Sequence, residues 1–403
     1  MSLRFPLIAL AVAAALPTVA SAVDFTYSGF STAAYAQSDT DDAVVGTGPE
    51  SIDKHGTYKM DSKFGLQVGA KFNEMVSATV QGVGYADMSG EWAPRVDWAY
   101  LSVKPVQNLN LRGGYLRAPT FMYSDSIFVG YANTWVRAPF EVYSQVPVYQ
   151  LLGVDATWRT QLGPVAVAVN PFFGEADINL KGDSMKGKDW GGLVTTATYG
   201  STQARVAYSQ FTFDTTLNPV GSLVDSLRAV PAEDCDRCAA EANRLTMDGQ
   251  SMKILNLGVQ YDDGSNFVAS EYARVRMDHN YLISNTNSAY LSYGRRFGSL
   301  MPYATLGALR RDQSLSSNAI PATGELADLS ATVNSVIQGG LNDQTSYSVG
   351  VRYELPSFSV VKGALVKLQF DHLEATGSGG LLYVQPSFDG TVNVVSASFD
   401  FIF

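Results

Sequence analysis

The chain repeatedly alternates apolar and polar residues with a period of two. Segment 62–72 is the clearest case, with one face made of Phe64, Leu66, Val68, Ala70 and Phe72. The chain ends in the same way, with one face made of Val395, Ala397, Phe399, Phe401 and Phe403. Adjacent side chains of a strand point to opposite faces, so this period predicts strands with one apolar face.

Sixteen segments carry this pattern, each bounded by turn residues. They are 24–37, 62–72, 76–86, 95–105, 109–116, 152–162, 165–174, 189–199, 203–214, 252–261, 267–279, 288–297, 301–315, 344–354, 360–373 and 390–403. An even number of strands is expected of a closed antiparallel barrel from a bacterial outer membrane.

The connections between these segments alternate in length. Those after even-numbered strands are short, whereas most of those after odd-numbered strands are long, notably 38–61, 117–151, 215–251 and 316–343. Outer-membrane barrels have tight periplasmic turns and long external loops, whereas a soluble sandwich gives no reason to sort its loops by parity. The fold class predicted is therefore all-β, a transmembrane antiparallel barrel of about sixteen strands.

A barrel of sixteen strands is wide enough to enclose an aqueous channel. The faces opposite the apolar rows carry the residues that this arrangement requires, namely Lys63, Gln67, Lys71, Asn110, Arg112, Asp155, Arg159, Gln161, Arg205, Ser209, Arg352, Lys367, Gln369 and Asp371. Charges that are costly toward lipid are tolerated toward water. The sequence thus predicts a water-filled lumen.

The connection 117–151 is rich in aromatic residues. It contains Phe121, Tyr123, Phe128, Tyr131, Trp135, Phe140, Tyr143 and Tyr149. A loop this long and this apolar must pack against something, and the lumen is the available interior. We therefore expect this third external loop to fold inward and narrow the pore.

Composition and charge exclude other classes. Only 16% of the 403 residues are charged, against about a quarter in an average globular chain. The formal net charge is −10 and no Lys/Arg cluster is present, so a nucleic-acid partner is not expected. Residues 1–22 combine Arg4, an apolar run at 7–16 and a small-residue end at Ala22, which predicts a signal peptide that leaves 23–403 as the barrel domain.

The chain resembles the general and substrate-specific porins of Gram-negative bacteria. The resemblance spans 23–403 and is carried by the sixteen strands, the long third loop, stretches 113–119 and 131–143, and the terminal Phe403. It implies a homotrimer in the bacterial outer membrane, in contact with lipid and lipopolysaccharide, and a terminal Phe403 recognised by the barrel-assembly machinery.

The resemblance also implies a constriction at which loop acids face basic wall residues. The loop acids are Asp125 and Glu141, and the wall candidates are Lys63, Arg112, Arg159, Arg352 and Lys367. The loop lacks a Pro-Glu-Phe-Gly-Gly motif and is richer in aromatics, among them Tyr131, Trp135, Phe140 and Tyr143. These rings either anchor the loop to the wall or form a surface along which solutes slide.

Catalysis is not expected. The chain has three histidines, and the one adjacent pair of interest, Asp371 and His372, points to opposite faces of a strand. Cys235 and Cys238 lie in one long loop and fit a small disulfide better than a metal site, because two cysteines cannot complete tetrahedral zinc coordination. No cofactor is implied.

The sequence as a whole predicts a porin for passive diffusion of small hydrophilic solutes and ions. The alternative is a substrate-specific channel, for a sugar or an organic acid, with an aromatic-lined constriction. A structural barrel with a closed lumen would show a plug domain or unusually apolar inward faces, and the sequence reveals neither.

Overall fold

The computed structural model describes residues 23–46, 51–86, 92–146, 148–180, 183–215, 219–277, 280–312, 316–339, 343–356, 361–376, 382–384 and 390–403. Sixteen antiparallel strands form one closed barrel, as the alternation predicts. The predicted signal peptide at 1–22 lies outside the described residues.

Each barrel strand pairs with its neighbours along the chain, and β1 pairs with β18 to close the ring. The barrel strands are β1 (Asp24–Ser38), β3 (Lys63–Lys71), β4 (Val76–Ala86), β5 (Trp92–Val106), β6 (Leu109–Arg117), β7 (Gln150–Leu162), β8 (Val165–Leu180), β9 (Asp183–Tyr199), β10 (Thr202–Thr215), β11 (Ser251–Asp262), β12 (Asn266–Met277), β13 (Thr286–Arg295), β14 (Leu300–Arg311), β15 (Asp343–Leu355), β16 (Gly363–Thr376) and β18 (Gly390–Ile402). Two short strands, β2 (Ala43–Val45) and β17 (Leu382–Val384), form a separate sheet.

All sixteen predicted barrel strands are present. The largest differences are in β8 and β9, which continue through 175–180 and 183–188, where the sequence indicates a connection. A register shift between Gly174 and Ala176 explains this difference. A bulge of this kind changes which face each side chain occupies, so a search for strict alternation stops there.

The two faces of the barrel differ as the alternation predicts. Large apolar side chains such as Leu66, Phe173 and Val349 are exposed on the outer face. On the C-terminal strand, Val395 and Phe399 are exposed, whereas Ser396, Ser398 and Asp400 are buried inside. No helix among the described residues is long and apolar enough to cross a membrane.

Three helices form a small apolar cluster in the long connections. They are α2 (Gly221–Ala229), α3 (Cys238–Arg244) and α4 (Ala327–Gly339), and α1 (Phe140–Tyr143) is a single turn elsewhere. Leu227, Val333 and Ile337 are fully buried between them, and Cys235 and Cys238 form a disulfide beside α3. Strand alternation gives no information about helices in loops, so the sequence analysis did not identify α2 and α4.

Gly114 allows β5 and β6 to approach each other. Its φ is +135°, and a Cβ there would clash with the Ala99 carbonyl oxygen and lie 2.9 Å from Tyr100 Cα. We expect Gly114→Ala to lower the free energy of unfolding by about 2 kcal/mol, from backbone strain and this clash. Urea titration of the refolded protein in detergent measures the difference.

The adjacent Gly113 provides the matched control. A Cβ at Gly113 would meet only Val154 Cγ1, at an ordinary 3.6 Å. Gly113→Ala should therefore leave the urea midpoint near that of the parent protein. Equal midpoints for the two variants would contradict the steric role of Gly114.

Candidate functional site

The connection 118–149, called here the inner loop, contacts the face of the barrel wall that carries the buried polar residues. Trp135 Nε1 donates hydrogen bonds to Ser292 Oγ on β13 (2.9 Å) and Thr305 Oγ1 on β14 (3.0 Å). The Val136 amide donates to Gln369 Oε1 on β16 (2.9 Å). These strands lie on the opposite side of the ring from β6 and β7, which the loop connects.

Glu271 on β12 holds the first part of the inner loop. Its side chain is buried, and its carboxylate accepts hydrogen bonds from the Met122 amide (2.8 Å), Asn256 Nδ2 (2.9 Å), the Tyr290 hydroxyl (2.9 Å) and the Tyr143 hydroxyl. Two of these four donors belong to the loop. The charge is thus solvated by the protein in place of water.

Arg205 on β10 extends this anchor. Its Nη1 donates to Asn256 Oδ1 (2.7 Å) and to the Thr120 carbonyl (3.3 Å), and its Nη2 donates to the Pro119 carbonyl. Arg205, Asn256 and Glu271 therefore form one hydrogen-bonded chain beneath the start of the loop.

Lys367 on β16 holds the middle of the inner loop. Its ammonium donates to the carbonyls of Gly130 and Trp135, both at 2.7 Å, and lies 3.4 Å from Asp400 Oδ2. The side chain is fully buried. The sequence analysis placed Lys367 among the basic wall residues of the constriction. In the structure its ammonium group is covered by the inner loop and binds loop carbonyls.

The inner loop also contributes two charges of its own. The Arg137 guanidinium donates two hydrogen bonds to the Asp61 carboxylate (3.2 and 2.6 Å) and lies 3.6 Å from Asp371. Glu141, in α1, accepts a hydrogen bond from Gln344 and is 1% exposed. Desolvation by burial raises the pKa of Glu141. Glu141 is thus buried against the wall, whereas the constriction expected from the sequence would need an exposed acid there.

Most aromatic residues of the inner loop act as packing groups. Trp135 is buried and makes edge-to-face contacts with Tyr123 and Tyr290, with ring centroids 5.3 and 5.6 Å apart. Tyr143 lies 5.3 Å from Phe121 by the same measure, and Tyr131 lies beneath the guanidinium of Arg352 at 5.6 Å. Of the two roles considered for the loop rings, Trp135 and Tyr143 therefore fit the anchoring of the loop to the wall.

One side of the barrel interior is apolar. Phe172, Trp190, Phe211, Ile254 and Val275, on β8–β12, are buried against the inner loop and one another. The sequence analysis emphasised charged inward positions and did not detect this apolar interior. The residues next to them in sequence include apolar ones such as Phe173 and charged ones such as Lys253 and Arg276, so these neighbours do not indicate which face is the interior.

A cavity of about 250 Å³ lies on the other side, between the inner loop and β1, β3, β4 and β5. Its lining includes Lys63, Tyr85, Arg95, Phe128, Arg137 and Tyr149. Lys63 is thus the predicted wall residue that reaches this cavity, and Phe140 and Tyr143 reach it from the loop.

The remaining candidates do not line this cavity. Asp125 is exposed and lies within electrostatic range of Arg112. Arg112 pairs with Asp155, with Nε 3.0 Å from Oδ1. Arg159 is exposed near the far end of β7, and Arg352 pairs with Glu354 at 3.1 Å. Of the predicted acid–base combinations, Asp125 and Arg112 interact electrostatically.

Sequence reasoning missed Asp61 and Glu271. Glu271 stands alone on the inward face of β12 among Phe267, Ala269 and Ala273. A single acid in an apolar row is costly unless it is hydrogen-bonded, and that isolation is the signal that could have identified it.

The described residues show no catalytic arrangement around the histidine beside an acid. His372 Nδ1 lies 2.7 Å from Asn393 Oδ1, whereas Asp371 is buried inside and lies near Arg137. Among the residues that the structure describes, no group of His, Cys, Asp and Glu could hold a metal ion.

No protein-family model matches the sequence, and no curated protein matches it. Solved structures share the fold. The trimer form of OmpT, an outer membrane protein of Vibrio cholerae, superposes with a TM-score of 0.54 at 12% identity, covering 95% of this chain and 100% of that one. The outer membrane channel DcaP of Acinetobacter baumannii gives 0.54 at 14% identity, covering 96% and 99%. An anion-selective porin from Comamonas acidovorans gives 0.54 at 10% identity, covering 95% and 100%.

We expect Glu271→Gln to loosen the inner loop, because an amide cannot accept all four hydrogen bonds and places its own N–H groups against donors. The free energy of unfolding should fall by about 2–3 kcal/mol. Trypsin should then cut the folded protein after Arg137 faster than it cuts the parent protein, in which this side chain is 12% exposed and held by Asp61. Gel analysis of a timed digest in detergent measures the change.

Glu374→Gln is the matched control. It makes the same chemical change at a residue that is exposed on β16. It should digest like the parent protein. A Glu271→Gln protein as resistant to trypsin as this control would show that Glu271 does not hold the loop.

Proposed function

We propose that this protein, which has the sixteen-stranded barrel fold of outer-membrane porins, is itself a porin of the Gram-negative outer membrane. Residues 1–22 are removed as a signal peptide, and 23–403 form a water-filled channel for passive diffusion of small hydrophilic solutes and ions. The proposal includes no catalysis, cofactor or energy coupling.

The observation that carries the proposal is the opposite chemistry of the two barrel faces. The outer face exposes large apolar side chains such as Leu66, Phe173 and Val349, which suit hydrocarbon. The inner face carries ionised pairs such as Arg112 and Asp155, with the Arg112 side chain 25% exposed. A partly exposed guanidinium inside a barrel is stable beside water, which supports a water-filled lumen.

The inner loop narrows this lumen. Its contacts with β12–β16 and the apolar interior of β8–β12 leave the cavity beside β3–β5 as the candidate passage. A constriction formed by a loop with many buried hydrogen bonds has a fixed width. Solutes would then be sorted by size and by the charges at the opening.

The assembly follows the same proposal. The V. cholerae structure is a trimer form, which supports a homotrimer here. Phe403 stacks near Phe64 on the outer face, with centroids 6.3 Å apart, where the barrel-assembly machinery could reach it. Exposed loop acids such as Asp41 would face lipopolysaccharide and its divalent cations.

A substrate-specific channel is the second candidate. The lining of the cavity favours it, because aromatic rings and basic groups occur together there.

Purified protein should form large conductance steps in a planar lipid bilayer, grouped in threes if the trimer inserts as a unit. The physical reason is that a wet lumen conducts ions without a gating event. Folding is checked in the same sample by the shift of the unheated band on a denaturing gel. Folded protein without conductance would overturn the porin proposal.

Asp125→Asn should move the reversal potential in a salt gradient toward anion preference, because Asp125 is an exposed acid within range of Arg112. Charges act on a passing ion only within about a Debye length, about 10 Å at 0.1 M salt. Asp225→Asn, on the exposed side of α2, is the matched control and should leave the potential unchanged. Equal shifts of the reversal potential in both variants would show that Asp125 does not act at the constriction.

A further inference from the structure

The cavity beside β3–β5 combines an amine with aromatic rings. The pairing of Phe64 with Gly84 sets the register of β3 and β4, and its continuation by one residue places Lys63 beside Tyr85. Both residues line the cavity. Side chains opposite each other on neighbouring strands have Cβ atoms about 5 Å apart, so an amine and a ring share one small space.

The aromatic part of this space is a cluster of three rings. Phe128 of the inner loop lies between Tyr85 of β4 and Tyr149 at the end of the loop, with centroid distances of 4.5 and 5.0 Å. The guanidinium of Arg95 covers the Tyr85 ring at 5.4 Å. A planar apolar group entering here would meet ring edges and faces, which favour aromatic partners.

The acids nearest to Lys63 are engaged by other groups. Asp61 is engaged by Arg137 through two hydrogen bonds, and Asp400 is engaged by Lys367 and Thr32. In the part of the chain that the structure describes, Lys63 has no acid within ion-pair distance. Its ammonium group is therefore available to a solute.

We propose that this cavity is a selectivity site for small aromatic carboxylates, whose carboxylate pairs with Lys63 while the ring lies against Tyr85 and Tyr149. The cavity volume of about 250 Å³ is just below the usual lower bound for drug-sized ligands, about 300 Å³, which suits a single-ring acid. This inference rests on the proposed porin function, and it names the substrate class of that same passage.

The test compares benzoate with acetate. With potassium chloride on one side of a bilayer and potassium benzoate or potassium acetate on the other, the reversal potential gives each anion's permeability relative to chloride. Simple sieving by size predicts that acetate passes more easily than benzoate. The proposal predicts the reverse order.

Two variants separate the charge from the ring. Lys63→Gln should lower the permeability of both acids about fivefold, the size expected for loss of one partly exposed ion pair. Tyr85→Leu should lower the benzoate-to-acetate ratio and leave acetate unchanged. The controls are Lys71→Gln, since Lys71 lies at the other end of β3 and pairs with Glu74 at 2.6 Å, and Tyr27→Leu on the outer face.

The outcomes distinguish the two proposals. An absence of conductance in every salt would overturn the porin function itself. Normal chloride conductance with acetate more permeable than benzoate would leave the porin and overturn the aromatic site. Equal effects of Lys63→Gln and Lys71→Gln would also overturn it, because the charge would then act without regard to position.

Discussion

The pairing of β1 with β18 is the interaction on which the rest of the structure depends. Phe30 to Ser38 align with Ile402 to Val394, so the first and last strands of the barrel close the ring. A closed ring has no strand edge with unpaired backbone groups, which is the condition for a sheet to lie in hydrocarbon. Closure also gives each strand an inner and an outer face. Alternate residues point to these two faces, which explains the period of two along the chain.

Closure of sixteen strands creates an interior too wide for wall side chains to fill, and the inner loop occupies part of it. An irregular loop away from water leaves backbone carbonyls and amides that need partners. Lys367 donates hydrogen bonds to the carbonyls of Gly130 and Trp135, and Arg205 donates to those of Pro119 and Thr120. The Glu271 carboxylate accepts a hydrogen bond from the amide of Met122. Long charged side chains suit this task because they reach from the wall and form strong hydrogen bonds.

Because some inward charges bind the inner loop and others do not, the sequence could predict the strands but not the contacts of each inward residue. Alternation shows which face a strand residue occupies, so all sixteen strands and the inward position of Lys367 could be predicted. It does not show what an inward residue contacts, and Lys63 and Lys367 look alike in sequence although one lines a cavity and the other is buried under the loop. The bulge after Gly174 interrupts the alternation, and the apolar interior of β8–β12 contradicts the assumption that inward residues are polar. Helices α2 and α4 depend on packing between loops that are distant in sequence.

The interior is consequently divided into an apolar side, which holds the loop, and a polar side, where space remains. The charges of the loop anchors are engaged locally, since Lys367 lies 3.4 Å from Asp400 and Glu271 accepts four hydrogen bonds. The formal net charge of −10 is equally uninformative, since exposed acids of the outer loops are screened within about a Debye length. Under the proposed function, the field in the passage is set by the few groups whose charge is not already paired. Lys63, which lines the cavity and has no acid within ion-pair distance among the described residues, is one of them.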